Sequence, residues 1–296
     1  MIARTIRPFV PLVAVSLLTI AAAPAGLRVT QRAQKIALVT VVADAKGPVK
    51  DLTAKDFVVT EDKANREVVD ARLADEPLSI ALLVDTTVPP VGVTPPTQDL
   101  RTSLAAFVKA IRASSPGAQI SMAEFSGASV EKVKFGALPL TLDDAVAKVY
   151  PNQPGNAVLL EALVDGAKRL NEQPKPRRAI VSVDFNSQEG SAERTMKAAA
   201  DEVHNAGATL WTVSMRGTTP QSVNREEVLN KITTANGGLR LTSIDASGLQ
   251  PNLLIIANSL ASQYEITFTR TGNDKPKSTT FATTKGGKVL QTPWMR

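Results

Sequence analysis

Two aspartates in this 296-residue chain close apolar runs that read as buried strands. Asp85 ends "SIALLVD" and is followed by the hydroxyls of Thr86 and Thr87, then by the proline-rich stretch "VPPVGVTPP". Asp184 ends "AIVSVD" and is followed by Phe185 and Asn186. In an open parallel sheet, ligands bind outside the carboxyl ends of the strands, where strand order reverses. If these two strands flank that point, both carboxylates and the Thr87 hydroxyl meet in one crevice. Hard divalent cations take oxygen ligands of this kind, so the available chemistry is oxygen ligation. The other reading is structural, because acids at strand ends also hold loops and helix N-termini through their oxygens.

Other chemistries lack their residues. There is no cysteine, which removes disulfides, thiolate nucleophiles and cysteine-type zinc sites. The single histidine, His204, falls in the last turn of an expected helix. A polar or positive ring suits the helix dipole there, so it reads as a solvated cap and not as the base of a hydrolase. No G-x-G-x-x-G follows a strand, and no G-x-x-x-x-G-K-[ST] occurs. The formal net charge of +6 includes Arg4 and Arg7 and is too mild to argue for nucleic acid without a basic face. The basic run "KPRR" at 175–178 sits in a proline-rich turn and reads as a solvated loop. No enzyme is expected.

The elements that must position the two acids follow from periodicity. Residues 77–262 alternate between apolar strands (80–84, 119–125, 130–135, 180–183, 210–213, 239–242) and helical stripes (100–111, 142–149, 160–170, 196–203, 223–234, 253–260). Such alternation predicts a mostly parallel sheet covered on both faces, a doubly wound α/β fold. The segments on either side, 26–76 and 263–296, switch to period two and predict β structure. Neither flank has enough strands for its own core, so the two should share one small β module. Its buried residues should be Ile36, Leu38, Val41, Phe57, Tyr264, Ile266 and Phe268. Residues 1–25 carry Arg4 and Arg7, a short apolar run and the small residues Ala23-Pro24-Ala25. They read as a signal peptide, which predicts export to the periplasm or beyond and no transmembrane span once it is removed.

With these motifs in view, residues 77–262 resemble a von Willebrand factor type A domain. The likeness rests on the order of elements and on "IALLVDTT", "GNAVLLEAL" and "RRAIVSVDFNS". The flanks, "VTVVADAKGPVKDLTAKDFVVTEDK" and "SLASQYEITFTR", are similar to bacterial proteins carrying a von Willebrand A-related domain, abundant in acidobacteria. The resemblance implies a Rossmann-like sheet and protein-protein or adhesion-type recognition through its upper face. It also implies a metal-ion-dependent adhesion site built from D-x-S-x-S, a threonine in the next loop and a later aspartate. Asp85 matches the first acid, Thr87 the first serine and Asp184 the last acid. Pro89 stands at the second serine and Ala157 at the threonine, although neighbouring Asn156 carries an amide oxygen. The metal set is thus reduced to Asp85, Thr87 and Asp184, which implies no cofactor or, at most, weak magnesium, manganese or calcium binding.

The expected ligand-binding face comprises Asp85, Thr87, Asn156, Asp184, Phe185 and Asn186, on loops 86–98, 152–156 and 184–191. The Phe185 ring either anchors a partner there or packs into the core below. The function implied is an exported, non-enzymatic module that binds a protein partner. The alternative is a structural or assembly subunit of a cell-envelope complex acting through its β segments. A metal-assisted hydrolase is the weakest class, because no base is visible.

Overall fold

The computed structural model describes residues 32–43, 46–88, 96–185, 187–216, 222–271 and 275–296. The expected signal peptide, Pro89 and Asn186 lie outside the described residues. The N-terminal flank forms β1 (Arg32–Val42), β2 (Phe57–Glu61), β3 (Ala64–Arg66) and β4 (Val68–Leu73). Asp62 and Lys63 make the turn between β2 and β3 with φ of 47° and 69°. The run ending at Asp85 becomes β5 (Leu78–Asp85), buried along its whole length. Then come α1 (Thr97–Ser114), β6 (Gln119–Phe125), β7 (Ser129–Val133), α2 (Pro139–Lys148), α3 (Leu159–Asn171) and β8 (Arg177–Asp184). These are followed by α4 (Glu193–Asn205), β9 (Ala208–Met215), α5 (Val223–Asn236), β10 (Gly238–Ser243) and α6 (Leu249–Ala261). The C-terminal flank supplies β11 (Gln263–Thr271), β12 (Thr279–Thr283) and β13 (Lys288–Met295). No helix among the described residues is long and apolar enough to cross a membrane.

The central sheet runs β10-β9-β8-β5-β6-β7, parallel except for the edge strand β7. Successive side chains of β5 leave opposite faces, as the pleat requires. Leu78, Ile80, Leu82 and Val84 pack with α1, α2 and α6, while Ala81 and Leu83 pack with α3, α4 and α5. The fold is therefore doubly wound α/β. Strand β5 pairs with β6 on one side and with β8 on the other, so strand order reverses between β5 and β8.

The two flanks share their sheets. One sheet runs β13-β1-β11-β4 and the other β12-β2-β3, and each contains strands from both ends of the chain. Val41, Phe57, Tyr264, Ile266 and Phe268 join Ala37, Val39 and Val59 in their core. Two expected members do not. Ile36 is only partly buried, and Leu38 is fully buried on the opposite face of β1. Period two forbids 36 and 38 from sharing a face with 41. The even-numbered face of β1 instead looks toward the α/β unit, where Val42 enters the core formed with α1 and α6. Strand β1 is thus buried on both faces and cements the two modules.

Lys175 of the "KPRR" run is exposed, as its composition suggested, but the two arginines are not in a solvated loop. Arg177 and Arg178 open β8 at 4% and 6% exposure. Arg177 donates to the carbonyls of Ala74, Glu76 and Leu260 and to Gln263 Oε1, at 2.7–3.1 Å. Arg178 donates to the carbonyls of Ala206 and Gln173. Both guanidiniums satisfy chain ends that would otherwise bury unpaired carbonyls. At the far end of α5, a Cβ on Gly238 would sit 1.8 Å from the Leu210 carbonyl oxygen, and φ is +111°. Only glycine can make that turn into β10.

Candidate functional site at the carboxyl end of the sheet

Val84 pairs with Val183 across the strand-order reversal, so Asp85 and Asp184 step off their strands side by side. Both are buried. Asp85 Oδ1 accepts the Thr87 N–H at 2.8 Å and the Thr87 hydroxyl at 2.7 Å. Its Oδ2 accepts the Phe185 N–H at 3.0 Å. Thr87 Oγ1 also lies 2.7 Å from Ser187 Oγ. One carboxylate therefore ties the loop after β5 to the loop after β8. Burial pushes the Asp85 carboxyl up to about 6, against the lowering effect of these three donors, and nearby Asp184 adds to the rise.

Asp184 is held from the other side. Its Oδ2 accepts the hydroxyl of Ser214, its ladder neighbour on β9, at 2.7 Å. Its Oδ1 faces Arg225 Nη1 at 3.6 Å. Arg225 Nε donates to Glu189 Oε2 at 2.9 Å, and Glu189 Oε1 accepts the Ser191 N–H at 3.1 Å. The Arg225, Asp184 and Glu189 side chains are only 1–2% exposed.

The three loops above these acids are knitted by backbone bonds. The Thr86 carbonyl accepts from the N–H groups of Asn152 and Gln153, and Val88 N–H donates to the Gln153 carbonyl. Ala157 N–H donates to the Gln188 carbonyl, and Gly190 N–H to the Ala157 carbonyl. A Cβ on Gly190 would lie 3.0 Å from Asn156 Cβ, so the second and third loops approach closely there.

Of the six residues expected on a binding face, the structure brings Asp85, Thr87 and Asp184 together but buries all three beneath the rim. Asn156 is exposed on the rim, and Asn186 lies outside the described residues. Phe185 is a correction. It is 1% exposed and belongs to the core with α1 and α6. It continues the pleat of Ala179, Val181 and Val183, so its ring follows theirs inward. Ser187, Glu189, Ser214 and Arg225 were not anticipated. Arg225 did carry a signal: it stands in the first turn of α5, where the helix dipole disfavours a cation.

A divalent ion would need oxygens of Asp85, Thr87 and Asp184. Here those oxygens are engaged by protein N–H and O–H groups, Ala157 brings no side-chain oxygen, and a guanidinium already stands beside Asp184. Among the described residues no group of three or more His, Cys, Asp or Glu is arranged to hold a metal ion. The residues present do not fit the ion.

No protein-family profile matches the chain, and no curated protein sequence does. Solved structures do match in fold. The PilB minor pilin from Streptococcus sanguinis superposes with a TM-score of 0.53 at 11% identity, over 78% of this chain and 88% of that one. A von Willebrand factor type A protein from Catenulispora acidiphila gives 0.52 at 10% identity, over 90% and 73%. Proximal thread matrix protein 1 from the mussel byssus gives 0.51 at 11% identity, over 68% and 50%. This chain spans 62% of the D319A form of the pilin and half of the byssus protein. The likeness is one of fold, and the fold is that of von Willebrand A domains.

Proposed function

We propose that the chain is an exported, non-enzymatic module that binds a protein partner through the rim of loops at the carboxyl end of the sheet, without a metal ion. The observation that carries this reading is the knitting of the three loops. Thr86 binds Asn152 and Gln153, and Ala157 binds Gln188 and Gly190, so the described part of the rim is preset before any partner arrives. A preset surface loses little ordering entropy on binding. Exposed Val88, Asn152, Asn156 and Gln188 offer one apolar contact and several hydrogen-bonding groups. The buried acids beneath hold the loops and make no direct contact. The fold likeness to a pilin and to a von Willebrand A protein supports the class of function and leaves the partner unidentified.

The test is capture from an envelope extract with and without chelator, comparing the native chain with Val88→Arg and Asn156→Arg. The reading expects the same partner in both buffers and its loss in both variants. Capture that needs a divalent ion, or that survives both substitutions, sinks it. A specific feature favours the second reading, assembly through the β segments. Strand β4 is the edge of its sheet and exposes Val69 and Leu73 at 47% and 55%. An open apolar edge is a template for strand addition. Loss of partner on Val69→Lys with the rim variants unaffected would select it.

A further inference from the structure

Arg225 is placed where an arginine is least comfortable. It sits in the first turn of α5, against the helix dipole. Its side chain is 1% exposed. Its Nη1 and Nη2 have no hydrogen-bond partner although both are buried. Guanidinium carries five donors and is rarely buried unless paired. What offsets these costs is charge: Asp184 at 3.6 Å and Glu189 at 2.9 Å. We infer that Arg225 is a built-in cation that takes over the work of an ion at this end of the sheet, fixing residues 187–191 of the recognition face against Ala157 and the start of α3 in one permanent arrangement.

The linkage can be followed bond by bond. Arg225 holds Glu189, Glu189 holds the Ser191 N–H, and Ser191 Oγ accepts the Glu161 N–H at the start of α3 at 3.0 Å. Between them, Gln188 and Gly190 bind Ala157. On the other side Arg225 faces Asp184, which abuts Asp85 and the Thr87 loop. A dissociable ion would make this network depend on ion concentration, because whatever binds only the native state stabilises it by mass action. A covalently attached guanidinium cannot leave, so the loops have no ion-controlled second state. The inference rests on reading these loops as the recognition face but not on any partner.

The experiment uses thermal melting and amide exchange of the full chain with Arg225→Lys, Arg225→Met and the double variant Arg225→Met/Glu189→Gln. Each is measured in chelator and in millimolar manganese. The native melting temperature should be the same in both buffers. Arg225→Met should melt about 6–12 °C lower, the shift expected from stranding buried carboxylates. Exchange at Gly190 and Ser191 should speed up at least about tenfold, since RT ln 10 is a modest local opening. The double variant should regain about half of the loss, because one stranded charge is gone. Arg225→Lys keeps the charge without the fork and should fall between. A saturable manganese-induced rise in the native chain overturns the inference. So does a double variant no better than Arg225→Met, which would mean that Arg225 acts by packing alone. If Arg225→Met does not fold, Arg225→Lys and the double variant still decide. No partner enters these measurements, so failure of the rim variants to lose a partner would count against the binding reading only.

Discussion

Two of the buried carboxylates among the described residues, Glu61 and Asp85, are compensated in opposite ways. Glu61, in the β module, lies among cations: Arg66 Nε at 3.1 Å and Arg270 Nε at 2.9 Å, with the Thr279 hydroxyl at 3.4 Å. Asp85, at the carboxyl end of a central strand of the α/β sheet, is met among the described residues by the neutral donors of Thr87 and Phe185. Arg225 contacts the neighbouring Asp184 and Glu189 instead. A buried charge with a cation beside it is an ion pair, whereas one held by neutral dipoles keeps much of its desolvation cost. The β module thus surrounds its buried acid with cations, whereas the carboxyl end of the α/β sheet leaves Asp85 to neutral donors.

The most forceful way to break this comparison is Phe185→Ala. Its ring is core, so the variant should lose about 3–5 kcal/mol in urea unfolding while the backbone N–H still donates to Asp85. A loss under about 1 kcal/mol would mean that the ring is not packed as described. On the other side, Arg270→Met should cost about 3 kcal/mol, less than a completely stranded acid because Arg66 remains. Equal stability of the variant and the native chain would remove the claim that Glu61 depends on its cations.

The third effect is in pH. The Asp85 carboxyl is raised from 3.8 to about 6 on folding. A raised acid binds its proton more tightly in the folded state, so its charge penalty is full above pH 6 and vanishes below about 3.8. At this group stability should rise as pH falls through that window, by up to about 3 kcal/mol. The check is the difference in unfolding free energy between the native chain and Asp85→Asn at pH 7 and pH 4.5. Parallel pH curves would refute it. The smallest effect belongs to an exposed pair, Lys197 with Glu193, whose side chains are both 76% exposed. Lys197→Ala should change stability by only about 0.3 kcal/mol and less in high salt. A loss above about 1 kcal/mol would blur the line between buried and surface charge drawn here.

Periodicity made most of the fold legible. The apolar runs ending at Asp85 and Asp184 are adjacent central strands, and the conditional meeting of their acids is realised because strand order reverses between them. The period-two flanks pair as expected. What composition hides is which face a residue takes and who meets whom across the chain. Leu38 and Val41 are both buried, yet parity sends them to opposite faces of β1. Phe185 read equally well as anchor or core until the pleat of β8 was known. Glu61 and Arg270 sit on strands from opposite ends of the chain, and nothing local pairs them. Arg225 looks like an ordinary surface arginine in "NREE", and only its place against the dipole sets it apart.

Strand β1 has a further consequence, for the order in which the molecule assembles. In its sheet it pairs only with β11 and β13, from the other end of the chain. The α/β unit can build up from neighbouring segments, but apart from a local bridge of Val42 to Pro48, β1 must wait for the C-terminal flank before its edges are covered. Long-range pairing of this kind slows folding and leaves strand edges open in the meantime. A chain synthesised from its N-terminus therefore carries "IALVTVV" as an unpaired, aggregation-prone ribbon through most of its synthesis. Anything that keeps this segment apart from others of its kind until β11 arrives should raise the yield of folded protein without changing the stability of the finished molecule.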